Sequence, residues 1–339
     1  MGMLRRTPHR RRSLRLPLLD ASLLVLAGLL AWGAVQHYAA ERRALRDYPS
    51  ELVLRSEITF KADLVEKLAR APQLIFIGGS RCERFDPSYA GRRTGLRAFN
   101  LAFSNSHPEG AWALANWLHD RRPGVRLRWV WGVNSATFSD RDLDPALLQD
   151  QRFSWYFDDA LLHAQRTLLP QTADQMPQGS RLDRRRYERN GLMLWNTYDR
   201  YLEIGGTLDK SLDRYIATAT AKMKNAGGGG DGRSRSRVYF EKTLRLLNDH
   251  GTTPVIVAMP IHPRVLAALR PYGRERSHAR FLAYLHGLEM RYHLRVVDLS
   301  ELSSFGGDPD GFYDGVHVTR ENSDRVIDAL VERAGDVLR

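Results

Sequence analysis

Five short, mostly apolar runs set the framework of this 339-residue chain. They fall at residues 74–77 (LIFI), 96–101 (LRAFNL), 127–131 (LRWVW), 254–259 (PVIVAM) and 294–299 (LRVVDL), with helix-patterned segments between them. Runs of that length, rich in β-branched and aromatic residues and bounded by turn residues, read as buried strands. Near-continuous apolar strands alternating with helices predict a mostly parallel five-stranded sheet covered on both faces, a three-layer α/β/α fold. Residues 109–122, 238–250, 274–292 and 319–338 are the expected covering helices.

The alternation stops between about 140 and 237, which reads as an insertion. Its helical candidates are 158–169, 183–202 and 207–224, the second packing Leu192, Leu194, Trp195 and Tyr198 inward. The closing run AGGGGDGRSRSR is low-complexity and reads as a loop. It lacks the lysine-serine/threonine ending of a phosphate-binding loop.

The net charge of +12 is unevenly placed. Arg5, Arg6, Arg10, Arg11, Arg12 and Arg15 precede any acidic residue, and residues 16–35 then carry Asp20 as their only charge. About 20 apolar residues suffice to cross a bilayer as a helix, and the flanking arginines predict a cytoplasmic amino terminus with the remainder exported. A cleaved signal peptide and a buried soluble helix are the competing readings. The expected organisation is a basic cytoplasmic tail (1–15), a signal-anchor span at the cell membrane (16–36), a stalk (37–70) and one globular domain (71–339). Arginines and aromatics interleave in the insertion as they do in nucleic-acid binders. For an exported domain, an anionic envelope polymer or lipid headgroup is the expected counterpart rather than nucleic acid. The single cysteine, Cys82, excludes an intramolecular disulfide and reads as a small buried apolar residue. No cluster of His, Asp or Cys has ligand-like spacing, so no metal is expected.

Candidate chemistry lies at two ends of the chain. The first strand breaks at Gly78-Gly79 and delivers Ser80 to its carboxyl end, where open α/β sheets bind ligands. Far downstream, Asp314-Gly-Val-His317 spaces a carboxylate and an imidazole by three, close enough for the acid to fix the ring's tautomer and leave its other nitrogen to activate a hydroxyl. Each residue also has a structural reading: Ser80 as a helix cap, Asn134 as a turn residue, and Arg81 as a partner of Glu83 or Asp86.

Taken together, Ser80 in GGSR, the segment Asn100 to Asn105, Asn134 in GVN and the Asp314/His317 pair resemble the SGNH (GDSL-like) hydrolase superfamily, with its flavodoxin-like sheet. The resemblance implies Ser80 as nucleophile, His317 as base, Asp314 as the acid orienting it, and Asn134 as an oxyanion donor. Ser104 or Asn105 stands where the second block has glycine, and a backbone N–H could still donate there, because asparagine tolerates positive φ better than most residues. Arg81, His107 and His262 are candidate substrate contacts. Gly-Gly-Ser-Arg in place of Gly-Asp-Ser is more like membrane-anchored members linked to polysaccharide O-acylation. The resulting expectation is an exported serine esterase or O-acyl(acetyl)transferase acting on an envelope or extracellular polysaccharide, with no cofactor. The alternative is an inactive relative that binds carbohydrate and assembly proteins of an envelope complex.

Overall fold

The computed structural model describes residues 56–338, apart from 141–142, 159–160, 162–184 and 226–233, together with the isolated residues 28 and 32. The expected tail 1–15, nearly all of the expected span 16–36 and the stalk up to residue 55 lie outside these residues. So do most of the helix candidate at 158–169 and the glycine-rich start of the run at 226–237. Among the described residues no helix is long and apolar enough to cross a membrane.

In chain order the strands are β1 (Leu74–Gly78), β2 (Ala98–Asn100), β3 (Arg128–Val133), β4 (Arg186–Tyr187), β5 (Met193–Trp195), β6 (Val255–Ala258) and β7 (Arg295–Asp298). The helices that concern the site and the core are α1 (Glu57–Glu66), α2 (Pro87–Thr94), α3 (Pro108–Arg121), α4 (Thr197–Glu203), α5 (Leu208–Asn225), α6 (Arg235–Asp249), α7 (Pro263–Leu269), α8 (Arg274–Glu289) and α9 (Arg320–Leu338). The main sheet has the order β2-β1-β3-β6-β7, and every pair in it is parallel.

Side chains alternate across each strand, so the sheet carries a core on each face. Ile75, Ile77, Trp129, Trp131 and Ile256 pack beneath α1, α3, α6 and α8. Leu74, Phe76, Val130, Val255 and Val257 pack beneath α2 and α9. The α/β fold with helices on both faces thus follows the strand runs closely.

Three local expectations fail. Helix α1, expected in the stalk, buries Ile58, Leu64 and Val65 in the main core, so the folded domain begins ahead of residue 71. The helix expected over 183–202 is instead the antiparallel hairpin β4–β5 followed by the short α4. Its turn places Gly191 at φ 82, where a Cβ would lie 2.1 Å from the Asn100 carbonyl oxygen. The Asn100 N–H donates to the Asn190 carbonyl at 2.9 Å, so the hairpin docks on the outer strand β2. Leu194, expected inward, is exposed, whereas Leu192 and Met193 are buried. Finally, Arg235, Ser236 and Arg237 of the expected loop begin α6, which Ser234 caps by accepting the Arg237 N–H.

Candidate active site

The order β2-β1-β3 reverses direction between β1 and β3, and in sheets of this kind a crevice opens at that switch, beyond the carboxyl ends of the strands. Ser80 follows β1 there and Asn134 follows β3. Both line a cleft of about 110 Å³ together with Arg81, Asn105, His107 and Met259. Gly78, at φ 137, turns the chain out of β1 so closely against β3 that a Cβ would lie 2.6 Å from the Gly132 carbonyl oxygen. Ser80 then opens a single 3-10 turn through Cys82.

The partner for Ser80 arrives from 237 residues away. Its Oγ lies 2.8 Å from His317 Nε2. On the other side of the ring, His317 Nδ1 lies 2.8 Å from Asp314 Oδ2 and 3.0 Å from Oδ1. A carboxylate can only accept, so Nδ1 carries the ring proton and Nε2 presents its lone pair to the serine hydroxyl. Burial disfavours the Asp314 anion, but the hydrogen bonds it accepts from His317 Nδ1 and from the backbone N–H groups of Val316 and His317 outweigh it and hold the carboxyl below its usual range.

A spacing of three would place the pair on one face of a helical turn, but it stands in a tight loop closed by the Phe312–Val318 bridge and by the Tyr313 N–H donating to the His317 carbonyl at 2.8 Å. The loop is braced from outside as well. Gly315 abuts Tyr215 of α5, with no room for a Cβ, and its carbonyl accepts the His262 N–H at 3.0 Å.

Asn134 caps the 3-10 helix that follows β3. Its Oδ1 accepts the Ala136 N–H at 2.9 Å, which leaves the Nδ2 amide for the cleft. Asn105 is the only non-glycine residue among those described with positive φ, at 55°. That turn is held by a buried polar cluster. The Ser104 N–H donates to Glu57 Oε2 at 2.9 Å, its hydroxyl donates to Glu83 Oε1 at 2.8 Å, and the Lys61 ammonium donates to the Ala102 carbonyl. Ser104 is therefore committed to the scaffold and is not an oxyanion donor, while Asn105 faces the cleft.

The other sequence candidates separate. Arg81 and His107 line the cleft. His262 does not: it is buried, its Nδ1 accepts the Arg264 N–H at 3.1 Å to cap α7, and its ring packs edge-on against Phe312. Burial pushes the Cys82 thiol up to about 12, leaving an inert side chain against Met259. No group of three or more His, Cys, Asp or Glu among the described residues could hold a metal ion.

Tyr198 was not recognised from the sequence as a site residue. Its hydroxyl lies 3.2 Å from His317 Nε2 and its ring 4.4 Å from the imidazole. Arg84 anchors this part of the insertion through Asp199 and the Leu194 carbonyl, and lies over the Tyr313 ring. Only the fold brings α4 over the imidazole, so no local sequence signal marks Tyr198.

No protein-family model matches the sequence, and no curated protein matches it. Among solved structures, a Bacteroides fragilis protein provisionally named an acylhydrolase is 12% identical, with 83% of this chain and 95% of that one covered and a TM-score of 0.34. That likeness is too loose to bear on the chemistry, which rests on the geometry above.

Proposed function

We propose that this chain is a serine-dependent acyl-ester enzyme of the SGNH type, acting on short O-acyl groups. The observation that carries the reading is the continuous line from Asp314 through His317 to the Ser80 hydroxyl, with the hydroxyl at the rim of a cleft lined by Asn105 and Asn134. As Oγ bonds the ester carbonyl carbon, its proton passes to His317 Nε2, and Asp314 stabilises the imidazolium. The Asn134 amide and backbone N–H groups of the two loops receive the developing oxyanion. When the tetrahedral intermediate collapses, the carbon–oxygen bond to the alcohol breaks and His317 returns the proton to the departing alkoxide. A second acceptor then repeats the sequence in reverse. Water gives an esterase and a sugar hydroxyl gives a transferase.

A cleft of about 110 Å³ suits an acetyl-sized acyl group. The arginine-flanked apolar segment at 16–35 supports placement on the outer face of a cell membrane, where O-acylated envelope polysaccharide is the fitting substrate class.

The test is labelling of the full chain by a serine-reactive fluorophosphonate. Labelling is expected in the wild type, is absent in Ser80→Ala and is strongly slowed in His317→Ala. A wild type that resists labelling across the neutral pH range would instead support the non-catalytic, carbohydrate-binding role.

A further inference from the structure

His317 Nε2 has one lone pair and two hydroxyls in reach of it. Ser80 Oγ lies at 2.8 Å and Tyr198 Oη at 3.2 Å. With Nδ1 carrying the ring proton toward Asp314, only one hydroxyl can donate to Nε2, and the serine is the nearer. The Tyr198 proton is then a donor without an acceptor, since that hydroxyl has no other hydrogen-bond partner among the described residues. Burial, then the negative charge of Asp314, push the phenol up, so it keeps its proton across the neutral range.

The phenol is firmly held at this place. Tyr198 is the second residue of α4, whose first turn is fixed by Asn196 accepting the Tyr198 N–H at 2.9 Å and by Asp199 accepting the Asn196 N–H at 2.8 Å. Arg84 binds Asp199 in turn. The Tyr198 ring lies 4.4 Å from the imidazole and stacks on Tyr313 at 6.2 Å and 26°. The position has a use in acyl transfer. Nε2 must hand its proton to the alcohol oxygen as the ester bond breaks, so that oxygen has to come within about 2.6–3.2 Å of it. Both that oxygen and the Tyr198 hydroxyl stand where Nε2 points, close enough for one to donate to the other.

We propose that Tyr198 is a catalytic residue for the alcohol side of the reaction, its O–H donating a hydrogen bond to the oxygen that leaves in acylation and to the acceptor oxygen that enters in deacylation. The proposal rests on the reading of Ser80 as nucleophile. The electron pair of the breaking carbon–oxygen bond goes to the alcohol oxygen, Nε2 supplies the proton, and the phenol retains its own. Such a hydrogen bond strengthens with the negative charge that gathers on the oxygen. It helps most where the alcohol is alkyl, as a sugar hydroxyl is, and least where the alcohol is an aryl group already stable as an anion. The substrate class that needs Tyr198 is therefore an alkyl O-acyl ester.

The test compares the full-length wild type and Tyr198→Phe in detergent on three acetate esters, p-nitrophenyl, trifluoroethyl and ethyl. Phenylalanine keeps the ring against His317 and Tyr313 and removes only a hydroxyl that holds nothing else among the described residues. The loss in kcat/KM, which reports acylation, should grow along that series, from a few-fold on p-nitrophenyl acetate to on the order of 10–10²-fold on ethyl acetate. Fluorophosphonate, whose fluoride leaves without a proton, should label the variant with a loss no larger than that on p-nitrophenyl acetate. A loss of one size on all three esters, or no loss, overturns the proposal, and so does a loss of labelling that matches the loss on ethyl acetate, which would make Tyr198 a residue that positions the imidazole. Faster cleavage of every ester by the variant would mean that the phenol only competes with Ser80 for Nε2, and overturns it too. So does a wild type that cleaves p-nitrophenyl acetate but neither alkyl ester. A wild type that neither labels nor cleaves any ester removes the Ser80 reading and this proposal with it, whereas a labelled wild type with a flat series removes this proposal alone.

Discussion

On the proposed mechanism Asn134 has two jobs for one amide, and they can be pulled apart. Its Oδ1 caps the helix after β3, and its Nδ2 is the group that mechanism offers to the oxyanion. Serine also caps well but offers no amide, whereas alanine does neither. Asn134→Ser should therefore keep stability near that of the wild type while kcat on p-nitrophenyl acetate falls on the order of 10²–10³-fold. Asn134→Ala should show the same loss of rate with about 1 kcal/mol less stability in urea unfolding. An Asn134→Ser enzyme with full activity would reduce Asn134 to a cap. At this scale, Ser80, Asp314 and His317 were legible because a short spacing and a strand end mark them. Ser104 was misplaced because the carboxylates that claim it, Glu57 and Glu83, lie on other segments of the chain. His262 was misplaced because its position after β6 is the same whether the ring faces the cleft or caps α7.

Between β1 and β3 the site depends on glycine for space rather than for flexibility. A Cβ on Gly132 would stand 2.0 Å from Cys82 Sγ and 2.8 Å from Met259 Sδ, so the turn after β1 nests its thiol against bare backbone. Gly132→Ala should cost on the order of 1–3 kcal/mol through overpacking. Adding Cys82→Ala removes the nearer obstacle and should recover part of that loss in urea midpoints. A double variant no more stable than Gly132→Ala would mean that the sulfur is not what the methyl strikes. The strands themselves were easy to read, since runs buried on both faces cannot be mistaken for surface. The β4–β5 hairpin was not, because strands of two and three residues are too short to show a period. Its one local signal is Asn190-Gly191, a turn dipeptide that favours hairpins.

Across the whole domain, α3 and α6 cover the core side of β3, and where they end their histidines meet. His119 and His250 stack with centroids 3.9 Å apart at 11°, and His119 also lies against Trp129. Burial, then the opposing charge of His250, lower His119 to about 4, with Asp120 pulling weakly the other way. An unfolded histidine binds its proton near pH ~6.5. As pH falls from about 6.5 to 4, the unfolded chain therefore takes up a proton that the folded chain refuses, and stability is lost over that window. Above it His119 contributes no slope. The carboxyls held low in the folded state, Asp314, Asp298 and Asp150 among them, lose their contribution only at still lower pH, so the two effects separate. Relative to His119→Phe, the wild type should therefore lose melting temperature as pH falls from about 6.5 to 4, with no further difference between the two below that window. Parallel curves for the two proteins would place the acid sensitivity of the fold somewhere other than this pair.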